Sequence, residues 1–429
     1  MTKPSQTTKP TTPFTLSLLE VLHSLRPDLG EDLISRLVID EAAYYRDHKD
    51  VHLAGVPAAR HYFKHGEKEK RRYHHPRLAF SKSNCSQPVQ QGTTVFYTDA
   101  PSNNASWLYR CVFPFKRDDN FDQVIFFSGA NLLSDVLKAV FSAKKIVFMR
   151  PSYSARNIYL MQLCRTIGVS VEFDYDDLLL PEYARERGAC RSGLRQPQED
   201  FSESLKQSAL TVYADTMTCS TASIAKELIK INPSITVRPN KLPINFFKTP
   251  QQVIARAKSY KFTDNKVKIL YLSGSNTHKR DFSTITGPLT KLAQEHSDKF
   301  TISFMGSLSD YSNVFSMLGV KSQMISTASF EKMLEIISAH DLVLVPLEKT
   351  AFNDCKSNIK YIECASQAVP VIASDVAEFS SVISEGSNGW LCTDELDWFN
   401  KLVDIVTDPD KIISCGINAY KQAKQGLSV

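Results

Sequence analysis

The chain has 429 residues, 42% hydrophobic and 23% charged, with a formal net charge of +5. That length supports two or three domains, each with its own core, and the composition is that of a soluble globular protein rather than a disordered or fibrous one. No apolar run approaches the ~20 residues a helix needs to cross a bilayer. The nine cysteines form no C-x-x-C pair, and an odd, unpatterned set predicts free thiols in a reducing cytoplasm.

Taken in chain order, residues 1–14, "MTKPSQTTKPTTPF", are rich in Pro, Thr and Lys and lack an apolar stretch, which predicts a disordered tail rather than a signal peptide. Residues 15–90 form an all-α N-terminal module by pattern: "FTLSLLEVLHSL" and "DLISRLVIDEAAYYRDH" repeat apolar residues at three- and four-residue spacing, with no strand signal. Eight Lys and Arg residues between 60 and 82, against Glu67 and Glu69, give that stretch a charge of +6 and leave the rest near neutral. Attraction to an anionic partner is therefore local. His61 and His65 stand at i and i+4, a spacing that suits zinc, yet no third ligand is spaced to complete a site. A nucleic-acid role lacks a recognisable fold or an aromatic platform, so membrane-surface or partner docking is the more economical reading of the basic segment.

Residues 91–245 alternate short β-rich runs with helical segments. The expected strands are 94–98, 123–128, 145–149, 169–173 and 210–214; the helices between them include 131–142, 153–167 and 221–231. "RPNKLPINFFKTPQQ" (238–252) suits a linker. The alternation restarts over 260–429, with strands at 267–274, 300–306, 341–347 and 370–374 and helices at 281–296, 329–339, 356–368, 395–407 and 409–425. Strands separated by helices of this length imply parallel sheets. The expected architecture is α/β: two Rossmann-like parallel-sheet domains facing a cleft, behind the N-terminal module. Ligands of such sheets bind beyond the carboxyl ends of the strands.

Two stretches carry the chemistry. In "FNDCKSNIKYIECASQAVPVIAS" (352–374), a helix starting near Lys356 places Lys356, Lys360, Glu363 and Gln367 on one stripe. A helix N-terminus with Lys356 and Ser357 suits a phosphate, and Glu363 is placed to accept hydrogen bonds from a ribose diol. A solvated face with an ordinary Lys–Glu pattern is the plainer alternative. In "LYLSGSNTHKRDFSTI" (270–285), Ser273, Gly274 and Thr277 lie at a strand-to-helix turn, followed by His278, Lys279 and Arg280. Both stretches follow strands of one sheet, so their cations would converge on one anion such as a diphosphate; a solvated helix start is the bland reading of the second.

These segments resemble the nucleotide-sugar-binding half of GT-B glycosyltransferases, in the large retaining group called family 4. "SGSNTHKRDF" is similar to that group's S-G-x-x-T-H-x-x-D-F variant, and "FNDCKSNIKYIECASQAVPVIAS" to its F-N-x-x-K-S-x-x-K-x-x-E…P-V-V-A-S segment. "EGSNGWL" (385–391), "VRPNKL" and "RPSYS…VSVEFDYDDLLLPEY" extend the resemblance over about 93–425, more loosely in the first half. Cys355 stands where many members carry a second glutamate.

The resemblance implies sugar transfer from a nucleoside-diphosphate donor, retaining and without metal or other cofactor. Lys356, Arg280 and His278 would be catalytic at the diphosphate, and Glu363 would hold the ribose. Ser273, Gly274, Thr277, Lys279, Asn353, Ser357 and Lys360 complete the donor side; Arg150, Asp176, Asp177 and Arg110 are the acceptor-side candidates. Asp174 and Asp176 have D-x-D spacing, but their place before "LLLPEY" favours sugar or structural contacts over metal. Residues 44–76 resemble a helical motif, H-Y-x-x-x-G-x-x-E-x-R, found beside glycosyltransferases of bacterial polysaccharide synthesis. The expectation is therefore a cytoplasmic enzyme, peripheral at the inner membrane face through residues 60–82, that extends a bacterial surface glycan of the lipopolysaccharide O-antigen or capsule type on a glycan or lipid-linked acceptor. A non-catalytic glycan-binding subunit of a polymerase complex and a sugar-nucleotide epimerase are the rivals. The chain stops soon after a helix, where GT-B chains usually continue, so it is also expected to be part of a longer polypeptide.

Overall fold

The computed structural model describes residues 15–17, 41–56, 58–66, 68–73, 77–79, 92–99, 104–115, 124–129, 131, 133–259, 266–273, 276–306 and 309–429. The chain divides into two compact units: Met1–Ser102 with Asp119–Phe173 and Ala209–Asp215, and Asn103–Asp118 with Asp174–Ser208 and Thr216–Val429.

In the first unit, short helices at Glu41–Asp47, Lys49–Leu53 and Ala58–His61 enclose Tyr44, Val51 and Ala58. The Tyr44 hydroxyl and His61 Nδ1 share a hydrogen bond of 3.0 Å. Two three-residue strands that no sequence pattern announced, β1 (Thr15–Ser17) and β2 (Arg77–Ala79), pair antiparallel. The tail at 1–14 and most of the two expected helices before Glu41 lie outside the described residues.

The first sheet has the order β4-β3-β5-β6-β7-β8, with β3 Thr93–Thr98, β4 Val124–Ser128, β5 Ala143–Met149, β6 Ser170–Tyr175, β7 Thr216–Cys219 and β8 Ile235–Val237. Val95 faces Ile125 on one side and Ile146 on the other, in parallel register. The run at 210–214, expected as a strand, is instead a tight helical turn over Leu210–Tyr213 that continues the Pro197–Ala209 helix; the strand follows at Thr216. A five-residue run carries no period long enough to tell helix from strand.

The second sheet lies within the second unit and has the order β11-β10-β9-β12-β13-β14. Its strands are β9 Val267–Leu272, β10 Phe300–Met305, β11 Lys321–Ile325, β12 Leu342–Val345, β13 Val371–Ser374 and β14 Trp390–Cys392. Counted from its own first strand this is 3-2-1-4-5-6, the doubly wound dinucleotide-fold order. Its central strands are covered on both faces, which is why "LVLV" and "VIAS" are apolar without alternation. Val343, Val371 and Ile372 are fully enclosed, each side chain worth ~1.5–3 kcal/mol of burial. The strand order reverses between β9 and β12, which are direct neighbours with Leu344 beside Tyr271. Ligands of open α/β sheets bind beyond that switch point. Gly306, at φ +108°, closes β10 against the end of β9: a Cβ there would stand 1.9 Å from the Ser273 carbonyl oxygen.

The helix expected over 356–368 covers only Ile359–Ser366 and follows a separate short helix. Thr350 caps a short helix at Ala351–Asp354, its hydroxyl accepting from Asn353 N–H at 3.1 Å, and a second helix begins only at Ile359. Lys356 and Ser357 therefore sit in the turn before the helix rather than in its first turn. The supposed solvent stripe is not one, since Glu363 and Gln367 are buried.

Candidate functional site

The segments leaving β9 and β12 carry most of the sequence-predicted donor residues. After β9, Ser273 is buried, Gly274 lies outside the described residues, and a turn over Asn276–His278 leads into the Lys279–Ser283 helix. Asp281 is the hub. It accepts from His278 Nδ1 at 3.1 Å, from Glu348 N–H at 3.1 Å, from Asn353 Nδ2 at 2.9 Å and from Arg191 Nη2 at 3.1 Å. Burial pushes its carboxyl upward, but the His278 and Glu348 N–H hydrogen bonds and the Arg191 charge outweigh it and hold the group below the usual carboxylate range. Lys279 and Arg280 are exposed.

After β12, Glu348 bridges two guanidiniums: it pairs with Arg191 Nη1 and, at 3.3 Å, with Arg280 Nη2. Asn353 is 0% exposed; its amide nitrogen also donates to the Glu348 carbonyl at 2.8 Å, while its side-chain oxygen has no partner. Cys355 is buried, its carbonyl accepts from Thr221 Oγ1 at 3.1 Å, and burial, helped by Glu227, pushes its thiol up to about 12. It is a neutral packing group where the resemblance has a carboxylate. Lys356 Nζ donates to Asp177 Oδ1 at 3.0 Å and lies 4.6 Å from the Phe352 ring centroid. Ser357 Oγ accepts from Asn240 Nδ2 at 3.0 Å.

On the following helix, Glu363 is only 3% exposed. Its Oε1 accepts from the Tyr109 hydroxyl at 2.9 Å and its Oε2 from Lys360 Nζ at 3.0 Å. The carboxylate is thus fixed in plane with lone pairs to spare, since each oxygen has two. Burial, and then the Glu363 charge, raise the Tyr109 phenol well above its ordinary range. Burial works against the charge of Lys360, yet Glu363 more than compensates and raises its ammonium.

The acceptor-side residues do not come together as one surface. Arg110 is 1% exposed: Nε and Nη2 grip Asp174 at 2.7 and 2.8 Å, and Nη1 reaches Asn240 Oδ1 at 3.1 Å and the Arg238 carbonyl. Asp174 also accepts from Arg238 at 2.7 Å and Thr218 at 2.5 Å, so its carboxylate is consumed by structural donors. Arg110 is therefore a buried tie, linked through Asn240 to Ser357, and not an exposed contact. Asp176 is buried and its carbonyl accepts from Ser220 Oγ. Asp177 faces Lys356. Arg150 belongs to the first unit, in the left-handed region at φ +46° just after β5.

Sequence reasoning missed Tyr109, Arg191 and Glu348 and did not single out Asp281 as a hub. Glu348 had a usable signal, a charged residue just past the carboxyl end of a buried strand. Tyr109 and Arg191 had none, because their partners are 254 and 90 residues away.

Residues 268–408, about a third of the chain, match the family described as glycosyl transferases group 1. A stretch of 95 residues is 28% identical to the D-inositol 3-phosphate glycosyltransferase of Nocardia farcinica, covering 22% of this chain and 20% of that protein. The match thus spans about a fifth of that relative's length. Among solved structures, Anabaena HepE in complex with UDP and glucose is similar over 79% of this chain and 96% of its own, at 14% identity and a TM-score of 0.55. Sucrose-phosphate synthase from Thermosynechococcus elongatus is similar over 71% of this chain and 77% of its own, at 15% identity and a TM-score of 0.50. At such identities the likeness is one of fold, and the fold is GT-B: two Rossmann-like domains, as the sequence led us to expect.

Proposed function

We propose that this chain is a glycosyltransferase that moves a sugar from a nucleoside-diphosphate donor onto a growing glycan. The observation that carries the reading is the placement of His278, Arg280, Lys356 and Glu363 on the segments that leave β9 and β12, neighbours at the switch point of the second sheet. Transfer builds negative charge on the leaving diphosphate, and fixed cations aimed at it lower the barrier. In this reading, Lys356, Arg280 and His278 exchange their carboxylate partners for phosphate oxygens, and Glu363, fixed by Tyr109 and Lys360, accepts from the ribose hydroxyls. The family match over 268–408 supports this reading, and the UDP bound by HepE favours a uridine nucleotide.

The finer reading is a retaining, metal-independent enzyme of bacterial surface-glycan synthesis, O-antigen or capsule in type, acting on a lipid-linked or glycan acceptor. The basic 60–82 segment would bring it to an anionic membrane face. Among the described residues no helix is long and apolar enough to cross a membrane.

The test is release of nucleoside diphosphate from a panel of nucleotide sugars, with and without lipid-linked glycan acceptors, and with and without EDTA. Lys356→Ala should lower turnover by ~10²–10³-fold while the fold persists. Unchanged turnover in that variant would remove Lys356 from the chemistry, and abolition by EDTA would sink metal independence. Conversion of free nucleotide sugar without any acceptor would identify an epimerase instead. Cys355 favours a second reading, a glycan-binding subunit without turnover; binding of nucleoside diphosphate with no transfer to any acceptor would favour it.

A further inference from the structure

Arg187 plays no part in the site described above. It lies in the segment that follows β6, immediately before the four-residue Gly188–Arg191 helix, and is 9% exposed. Its Nη1 pairs with Asp200 Oδ2 at 3.0 Å, while Nε and Nη2, the two donors of its other edge, are buried without a partner. Asp200 is also shared with Arg195 at 2.9 Å, so two guanidiniums draw on one carboxylate and the cluster carries an excess positive charge. Burial holds the Arg187 guanidinium below its ordinary range, more than Asp200 and Asp177 restore.

The position of this edge is fixed by the residues that follow. Gly188 packs against the 276–278 turn so closely that a Cβ would stand 2.8 Å from the Thr277 carbonyl oxygen. Ser192 Oγ donates to that same carbonyl at 3.0 Å, and Arg191 reaches Asp281 and Glu348. Asp177, whose charge acts on Arg187, is the carboxylate that pairs with Lys356. Arg187 is therefore the residue before one seated against the turn after β9, and it lies within the electrostatic reach of the Lys356 pair. The Nε–Nη2 edge of a guanidinium is the face that binds two oxygens of one oxyanion side by side.

We infer that the unpartnered edge of Arg187 binds a phosphate-type oxyanion, the diphosphate of the donor. The assignment to the donor rests on the reading of the site given under Proposed function; the anion site itself does not. A buried guanidinium with two empty donors and surplus local charge gains hydrogen bonds from such a ligand that water in a closed site does not supply.

Calorimetric titration with inorganic diphosphate tests the anion site directly, on the full chain and on Arg187→Gln and Arg187→Lys. The wild type should bind, Arg187→Gln should weaken binding at least ~10-fold, and Arg187→Lys, which keeps the charge but not the fork, should weaken it several-fold. Absence of binding to the wild type, or equal affinity across the three proteins, overturns the inference. If Arg187→Gln fails to fold, Arg187→Lys decides it. A second titration uses UDP, GDP and dTDP against their free nucleosides. If Arg187→Lys weakens a diphosphate and leaves its nucleoside unaffected, Arg187 belongs to the donor site. If inorganic diphosphate depends on Arg187 while no nucleotide binds better than diphosphate alone, the anion site stands and the nucleotide-sugar reading falls.

Discussion

Removing one hydroxyl, Tyr109→Phe, isolates the contact that holds Glu363. The two groups meet at 2.9 Å, and neither residue is more than 3% exposed. A hydrogen bond to a buried charged group is worth ~1.5–3 kcal/mol, and its loss leaves Oε1 of Glu363 short of a donor in a place water does not reach. All three tryptophans, Trp107, Trp390 and Trp398, lie in the second unit, so fluorescence-monitored urea unfolding reports on the unit that contains the contact. Tyr109→Phe should lower its stability by ~1.5–3 kcal/mol. In a double-mutant cycle with Glu363→Ala, ~1–3 kcal/mol should be shared between the two sites. The phenol adds a pH signature: its native pKa is raised above 10.0, so its contribution is complete below pH 10 and is lost as the pH climbs through the native value. Two changes that add to within ~0.5 kcal/mol would refute the coupling and with it the idea that Tyr109 positions the Glu363 carboxylate.

Breaking the Arg110–Asp174 tie with Asp174→Asn strands two guanidiniums and should cost ~3–5 kcal/mol, read from the same urea midpoint; a loss under half of that would mean that water enters the knot. His340 is buried with Nδ1–H donating to the Ile336 carbonyl and Nε2 accepting from Ser303, and burial holds its ring below 6.5. Its stabilising contribution is complete above pH 6.5 and falls as the pH drops toward the native value, by at most ~1.4 kcal/mol per pH unit, a slope that His340→Gln should flatten. Gly188→Ala would force the Thr277 backbone to move and should cost ~1–3 kcal/mol; an unaltered urea midpoint would show that the 276–278 turn yields freely.

The second sheet was readable because its central strands are doubly covered, so β9, β10, β12 and β13 stand out as apolar runs of the right length. The strands that escaped are edges or short: β8 and β14 have three residues each, and β11, "KSQMI", is largely open to solvent and has no apolar pattern to find. The cations of the site were legible because charged residues directly after buried strands are conspicuous. Their carboxylate partners were not. Asp177 is 179 residues from Lys356, and Glu348 is 68 from Arg280, separations that no local pattern encodes. The break at Cys355–Asn358 was misread for a different reason: the K-x-x-x-K-x-x-E spacing fits a helix from Lys356, whereas Thr350 capping and the restart at Ile359 divide the segment. Arg110, an acceptor-side candidate by sequence, is buried because Asp174 neutralises it, a pairing across 64 residues that no local pattern encodes.

The way the second unit is assembled has a practical consequence for dissecting the protein. Tyr109 and Phe113 join Leu242 and Phe247 in one apolar cluster with β12, β13 and the Ile359–Ser366 helix. A fragment cut at residue 260, where the sequence pattern of the second sheet begins, would lose all four of those side chains and bare Phe330, Tyr361 and Ile362. It would also separate Ser357 from Asn240 and leave Lys360 as the sole remaining donor of the two that hold Glu363. Such a fragment would carry the motifs in full and still aggregate, because the scaffold that shapes them is supplied by residues 104–115 and 238–247, well upstream of the boundary.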